Sequence, residues 1–285
     1  MSSAPDPQRV AEHRFPVHGW AGAALVLAFW ALNWTVDGPR THVFFFPLWL
    51  GYILAVDGLV HLRRGASILS RSRRGFVALF VASAPAWWLF EMINLHTQNW
   101  TYVGAELFSD LEYAILCTVA FSTVMPAVFE TAELVRSFRW VDERRTGPRI
   151  PASRHTAAAS FSAGVAAALL IYMYPDGFYP FIWGMLFGLI EAANLWTGQP
   201  SLFDALDRCD WRPALSLALG ALICGFFWEL WNMYSFPRWT YRTPGVEFLY
   251  FFEMPLLGYL GYPPFGLELY ALAHLLLGKK LNVAL

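Results

Sequence analysis

Charge is what this sequence most lacks. Of its 285 residues only 14% are Asp, Glu, Lys or Arg, where a soluble domain carries roughly a quarter. The formal net charge is −1, which removes the electrostatic basis for binding nucleic acid. The only lysines, Lys279 and Lys280, stand at the C-terminal end, so no apolar stretch holds a lysine that could form a Schiff base. The three cysteines (Cys117, Cys209 and Cys224) are scattered without a Cys-x-x-Cys pair, which argues against a disulfide framework or a zinc site. The histidines are isolated. Asp57 and His61 share a helix face at i,i+4, but two ligands do not define a metal site, so neither a metal nor a cofactor is expected. There is no Asp-rich diphosphate motif and no glycine-rich nucleotide loop. Nor is there a cleavable signal: the first apolar run follows a polar tail and has no small-x-small site behind it, so it reads as an anchored helix.

What the sequence has instead is apolar and aromatic surface. Hydrophobic residues make up 57% and aromatics 18%, with 14 Trp. A bilayer core needs about 20 apolar residues per helix, with about 17 as a lower limit. Eight runs meet that demand: Gly19–Val36, Val43–Val60, Gly75–Leu95, Leu111–Val135, Ala157–Tyr174, Tyr179–Trp196, Pro213–Tyr234 and Val246–Leu277. The last is too long for one straight helix, and Pro255 with Pro263-Pro264 is expected to break it. If the N-terminus is inside, every basic residue except Arg40, Arg238 and Arg242 falls on the inner side, as the positive-inside rule requires. The basic groups are Arg9 and Arg14, the Arg63–Arg74 loop, the Arg136–Arg154 loop, Arg208 with Arg212, and the terminal lysine pair.

The chain also repeats itself. Glu91-x-x-Asn94 is followed by Trp100-Thr101-Tyr102, and Glu229-x-x-Asn232 by Trp239-Thr240-Tyr241. Pro126-x-x-x-Glu130 matches Pro264-x-x-x-Glu268 at the same chain offset, and Pro47-x-x-x-Gly51 matches Pro180-x-x-x-Gly184. Agreement of several rare residue types in order marks a duplication. The expected fold is therefore an all-α membrane protein of two tandem parallel four-helix repeats, with both termini cytoplasmic. The expected division is a tail over 1–17, a first repeat over 18–135, a basic linker over 136–156 and a second repeat over 157–285. An even number of helices per copy relates the copies by an axis along the membrane normal. Gly51-x-x-x-Ala55 and Gly184-x-x-x-Gly188 are expected at close helix crossings.

The repeated motif is the candidate site. Glu91 and Asn94, like Glu229 and Asn232, share a helix face near the outer end of their helices. Trp100, Tyr102, Trp239 and Tyr241 follow in the outer loops, with Glu112 and Glu253 opening the next segments and His96 two residues beyond Asn94. This predicts an acidic cavity with an aromatic rim. Intramembrane carboxyl groups usually face a bundle interior, a carboxylic acid in an apolar pocket is a usable proton donor, and aromatic faces stabilise a nearby cation. Glu91, Glu229, Asn94 and Asn232 are accordingly the catalytic candidates. Trp100, Tyr102, Trp239, Tyr241, Glu112, Glu253 and His96 are the substrate-binding candidates. The same residues also suit hydrogen-bonded glue between copies and the ordinary interfacial aromatic belt. Glu130 and Glu268 lie nearer the inner end, behind a proline.

At Trp228-Glu229, Glu253-Met254-Pro255 and Pro264–Glu268 the chain resembles the small integral-membrane terpenoid cyclases and the carotenoid cyclases and hydratases, although their Pro-x-Glu-Glu pattern is absent. The segment from Phe252 to Glu268 looks like uncharacterised bacterial membrane proteins. The resemblance implies a compact helical membrane enzyme that protonates or hydrates isoprenoid double bonds with acidic residues. An intramembrane enzyme acting on an isoprenoid or other lipid is thus the leading expectation. A transporter or channel using the paired Glu/Asn as an ion or proton site is a second, and a scaffold or assembly factor without chemistry a third. Expected partners are membrane lipid and a hydrophobic small molecule, with no nucleic acid and with a homo-oligomer left open. The expected location is a bacterial cytoplasmic membrane.

Overall fold

The computed structural model describes residues 13–143, 146–281 and 283–285. Arg9 and most of the expected tail lie outside the described residues, as do Arg144 and Arg145 of the expected linker. The fold is all-α. In order it runs α1 (Val17–Thr35), α2 (Thr41–Arg64), the short α3 (Ile68–Arg71), α4 (Arg73–Thr97), strand β1 (Trp100–Val103), α5 (Asp110–Phe121), α6 (Val124–Arg136), α7 (Arg139–Glu143) and α8 (Arg154–Met173). It continues through α9 (Pro175–Phe178), α10 (Ile182–Thr197), α11 (Leu202–Asp207), α12 (Arg212–Asn232), β2 (Arg238–Tyr241), β3 (Tyr250–Phe251), β4 (Met254–Pro255) and α13 (Tyr262–Leu277).

Among the described residues six stretches are long and apolar enough to cross a membrane: Thr41–Arg64, Arg73–Thr97, Asp110–Arg136, Arg154–Met173, Pro175–Thr197 and Arg212–Asn232. They turn large apolar side chains outward, among them Val77, Val81, Ile115 and Leu169, which fits an integral membrane protein because lipid solvates such a surface. Val246–Leu277, expected as one broken crossing, is helical only from Tyr262. Its first half folds instead as the β3–β4 pair and a 3-10 turn over Leu256–Gly261. Pro263 and Pro264 then occupy the first turn of α13, where the missing N–H groups would have no helical partner anyway.

Small residues bring helices together in pairs. α1 lies along α2, and α8 along α10. A Cβ on Gly22 would stand 2.6 Å from the Gly51 carbonyl, and one on Gly188 would stand 2.8 Å from the Ser160 carbonyl. Gly51 and Gly188 thus serve as expected, whereas Gly184 has open space around it, just past a kink that turns it away from the crossing. The centre is built by α6, packed on α2, α4 and α12, and by α13, packed on α10, α12 and α4.

Two breaks have identifiable causes. Pro126 cannot supply a helical N–H, and the chain parts between α5 and α6 just before it. Ser83 of α4 closes the gap: its hydroxyl donates to the Phe121 carbonyl at 2.5 Å and accepts from the Met125 amide at 3.0 Å. After Pro180 the backbone leaves helical geometry at Trp183 (ψ 28°). The Leu186 and Phe187 amides are then taken up by Oε1 of Glu268, at 3.1 and 3.4 Å. α2 and α10 both end on a left-handed glycine, Gly65 and Gly198. A capping serine follows each, Ser67 and Ser201. Ser67 donates to buried Asp57, and Ser201 to buried Glu191. The Leu69 and Leu202 amides bond the same two carboxyl groups.

Candidate functional site: two glutamate–tyrosine pairs on one aromatic cavity

α4 and α12 end in the same way. The Asn94 amide donates to the Trp100 carbonyl at 2.8 Å, while its oxygen accepts from the amides of Asn99 (2.8 Å) and Trp100 (3.2 Å). Asn232 donates to the Trp239 carbonyl at 2.7 Å and accepts from the Trp239 amide at 3.0 Å. Both asparagines therefore fold the chain back from the helix end and fix where the following strand starts. The two strands pair with each other, antiparallel: Trp100 opposite Tyr241, Thr101 opposite Thr240 and Tyr102 opposite Trp239. The threonine hydroxyls meet across the centre of this register at 3.2 Å.

The pairing aims Tyr102 and Tyr241 back onto the helices they came from. The Tyr102 hydroxyl donates to Oε1 of Glu91 and the Tyr241 hydroxyl to Oε1 of Glu229, each at 2.6 Å. Further donors differ between the two. Glu91 also receives the indole N–H groups of Trp87 (2.9 Å) and Trp100 (3.0 Å). Glu229 receives the Tyr262 hydroxyl at 2.7 Å, and its Oε2 meets no donor among the described residues. The Trp239 indole reaches the Tyr241 hydroxyl at 2.7 Å. Burial first, and the neighbouring glutamate second, hold the Tyr102 and Tyr241 phenols well above the usual tyrosine range, so both keep their protons near neutrality.

Tyr102, Tyr241 and Tyr262 face one cavity of about 210 Å³, while Glu91 and Glu229 stand behind these phenols and Asn94 and Asn232 at the helix ends, none of the four among its lining residues. Tyr102, Trp239 and Tyr241 come to it from the strands, and Trp87, Trp183 and Trp228 from the helices. The kink after Pro180 places Trp183 there, its ring stacked against both Phe90 and Trp100. The walls are almost wholly aromatic or aliphatic. Apolar contact would select an occupant, and a few polar groups would orient it.

The other expected site residues have different places. Glu253 forms an ion pair with Arg238 at 2.5 Å, and Arg238 itself lines the cavity. Glu112 is exposed and closes a capping box with Ser109 at the start of α5. His96 is exposed too, stacked on Tyr172 with its Nε2 at 3.1 Å from the Tyr172 carbonyl. Neither borders the cavity. Asp57 bonds His18 at 2.7 Å.

Trp87 and Tyr262 escaped the sequence reading. Trp87 was within reach of it, one helical turn before Glu91 on the same face. Tyr262 was not, because the residue at the matching sequence offset from the first motif is Val124. By the same sequence offset Trp87 corresponds to Gly225 and Val124 to Tyr262, large against small in one pair and small against large in the other. A Cβ on Gly225 would lie 2.4 Å from the Tyr262 ring, so glycine there is what admits the phenol.

No protein-family model, curated protein or solved structure matches this chain.

Proposed function

We propose that the protein is an intramembrane enzyme that binds an unsaturated, lipid-soluble substrate of isoprenoid class in the aromatic cavity and acts on it by proton chemistry of the cyclase or hydratase type. The observation that carries this reading is a pair of tyrosines, Tyr102 and Tyr241, brought from two places in the chain to one apolar cavity, each backed at 2.6 Å by a glutamate that does not itself line it. The two glutamates take different roles. Glu229, with an oxygen that no donor reaches, holds the transferable proton and replenishes the phenols of Tyr241 and Tyr262. Addition of that proton to a carbon–carbon double bond makes one C–H bond and leaves a carbocation on the more substituted carbon. Aromatic faces stabilise that cation. A second double bond or a water molecule then attacks it. Glu91, gathering three donors behind the cavity wall, serves as counter-charge and takes up, through the Tyr102 phenol, the proton released when the reaction ends.

In the same reading the chain crosses the bacterial cytoplasmic membrane eight times. Two parallel four-helix units relate by a two-fold axis along the membrane normal, with both termini on the cytoplasmic side. The symmetric register of β1 on β2 supports this arrangement, as do the matching Asn–Trp hydrogen bonds and the shared packing of α1 on α2 and α8 on α10.

The test is mass spectrometry of lipid extracts from cells expressing the wild-type chain, Glu91→Gln, Glu229→Gln or Tyr241→Phe. An isoprenoid species that changes with the wild type and is lost with Glu229→Gln is the expected result. Unchanged product in both glutamate variants would overturn the mechanism.

A further inference from the structure

A second polar cluster lies at the other end of the bundle, apart from the aromatic cavity and from any role proposed for it. Glu130 of α6 is fully buried. No N–H or O–H donor among the described residues reaches either of its oxygens. Its repeat counterpart, Glu268, is occupied: the kink at Trp183 frees two amides, and Glu268 binds them. In the first copy α2 runs unbroken through Pro47. The corresponding amides, of Ile53 and Leu54, stay inside the helix. Glu130 is thereby released from the structural task its counterpart performs, yet it remains a carboxyl group.

What stands beside Glu130 is another carboxyl. Glu130 stands close enough to Asp57 of α2 for the two carboxyl groups to interact, and Asp57 is also fully buried. Asp57 accepts from the Ser67 hydroxyl at 2.8 Å, the Leu69 amide at 3.0 Å and Nε2 of His18 at 2.7 Å. The His18 side chain, on the first turn of α1, is 29% exposed. The three groups thus run from the surface inward: an accessible imidazole, a buried carboxylate, and a buried carboxyl that no other donor satisfies. The remaining charged groups facing the cluster are Glu133, Arg71 and Arg64. Glu133 is bound by the Arg71 guanidinium and by the Ala284 amide at 2.7 Å. Arg64 and Arg71 stand at the end of the bundle where Arg136 also lies.

We propose that His18, Asp57 and Glu130 form a proton wire, leading from the basic end of the bundle to a proton-binding site shared by the two buried carboxyl groups. Two carboxylates side by side in a low-dielectric interior cannot both carry charge, so they hold one proton between them. Transfer is balanced at each step. Solvent protonates one ring nitrogen of His18, and Nε2 passes its proton to Oδ1 of Asp57. That transfer returns His18 to its neutral form, and the proton the pair already shared moves onto Glu130, so the two carboxyl groups hold two protons until one leaves. The outward path is the reverse.

Infrared spectroscopy of the full-length protein in lipid nanodiscs tests this directly. The wild type shows a carboxylic-acid carbonyl band that is lost in Glu130→Gln and kept in Glu133→Gln. On transfer to heavy water that band shifts as its proton exchanges. His18→Phe, at a part-exposed position, keeps the band but slows its exchange by about tenfold or more, equivalent to about 1.4 kcal/mol in barrier. If Glu130→Gln removes no carboxylic-acid band, the shared-proton site is wrong. If exchange is as fast in His18→Phe as in the wild type, the wire is wrong. Neither outcome bears on the lipid chemistry, which is read from extracted products.

Discussion

Asn94 and Asn232 show how much a single side chain settles here. Each amide makes bonds in both directions to the backbone that follows its helix. The tyrosines that reach Glu91 and Glu229 lie only two residues past those anchored tryptophans. Replacing either asparagine by alanine leaves buried backbone groups without partners, at a cost of about 1–3 kcal/mol for each unsatisfied group. We expect Asn94→Ala and Asn232→Ala each to lower the unfolding temperature in detergent. Amide exchange should rise over residues 100–103 in the first variant and 238–241 in the second. Asn→Asp keeps the acceptor and loses the donor, so its effect should fall between wild type and alanine. Equal exchange in all three would mean that the asparagines do not hold the strands. A glutamate variant should instead remove product with little change in strand exchange, which separates the chemical residues of the motif from the positioning ones.

At the scale of elements, the pairing of β1 with β2 joins the two halves of the chain directly. Thr101 and Thr240 face each other in register with their hydroxyls 3.2 Å apart. Directly opposed strand residues have Cα atoms about 4.5–5.5 Å apart, within the roughly 4.4–6.8 Å that a disulfide spans. Thr101→Cys with Thr240→Cys should therefore crosslink spontaneously on oxidation. With a protease site inserted in the exposed loop before α8, the cleaved halves should run as one band without reductant and as two with it. Cys117, Cys209 and Cys224 are all free, and the wild type is the control for them. Two bands without reductant would disprove the register. The helices behind these strands could be read from the sequence because each is an apolar run of membrane length. The repeated Glu, Asn, Trp and Tyr marked both ends of the site for the same reason, that rare residue types recur in order. The strand pairing itself was hidden, since four residues of Trp-Thr-Tyr type carry no pattern that names a partner far along the chain. The 3-10 and strand segment before α13 was hidden too. Its composition is as apolar as a membrane helix, and only the backbone limits of Pro255, Pro263 and Pro264 distinguish it. Glu112 and His96 were drawn toward the site by closeness in sequence, whereas their side chains point to a helix cap and to an outer aromatic contact.

For the whole molecule, the instructive feature is where the two halves stop matching. The Trp87–Val124 and Gly225–Tyr262 exchange moves the bulky ring from one position of the pair to the other and changes what is delivered to the glutamate, an indole N–H in one half and a phenol in the other. If the halves are copies of one packing arrangement, the first can be rewritten as the second. Trp87→Gly alone opens a void next to Phe90, Phe121 and Phe265, which the indole now touches. Loss of a large core aromatic costs about 3–5 kcal/mol. Val124→Tyr alone sets a second ring beside the cavity that Val124 lines while Trp87 keeps its place, and overpacking is expected to cost about 1–3 kcal/mol. The double variant should restore much of that loss, because the new phenol enters the space the indole left and can donate to Glu91 as Tyr262 does to Glu229. Coupling between contacting sites is commonly about 0.5–3 kcal/mol, and thermal unfolding of the four proteins of the cycle in one detergent measures it. Additive losses would show that the halves pack by different rules. A stabilising coupling with product formation lost would show something more specific: the shared architecture tolerates the exchange, and the chemistry depends on the halves remaining unequal.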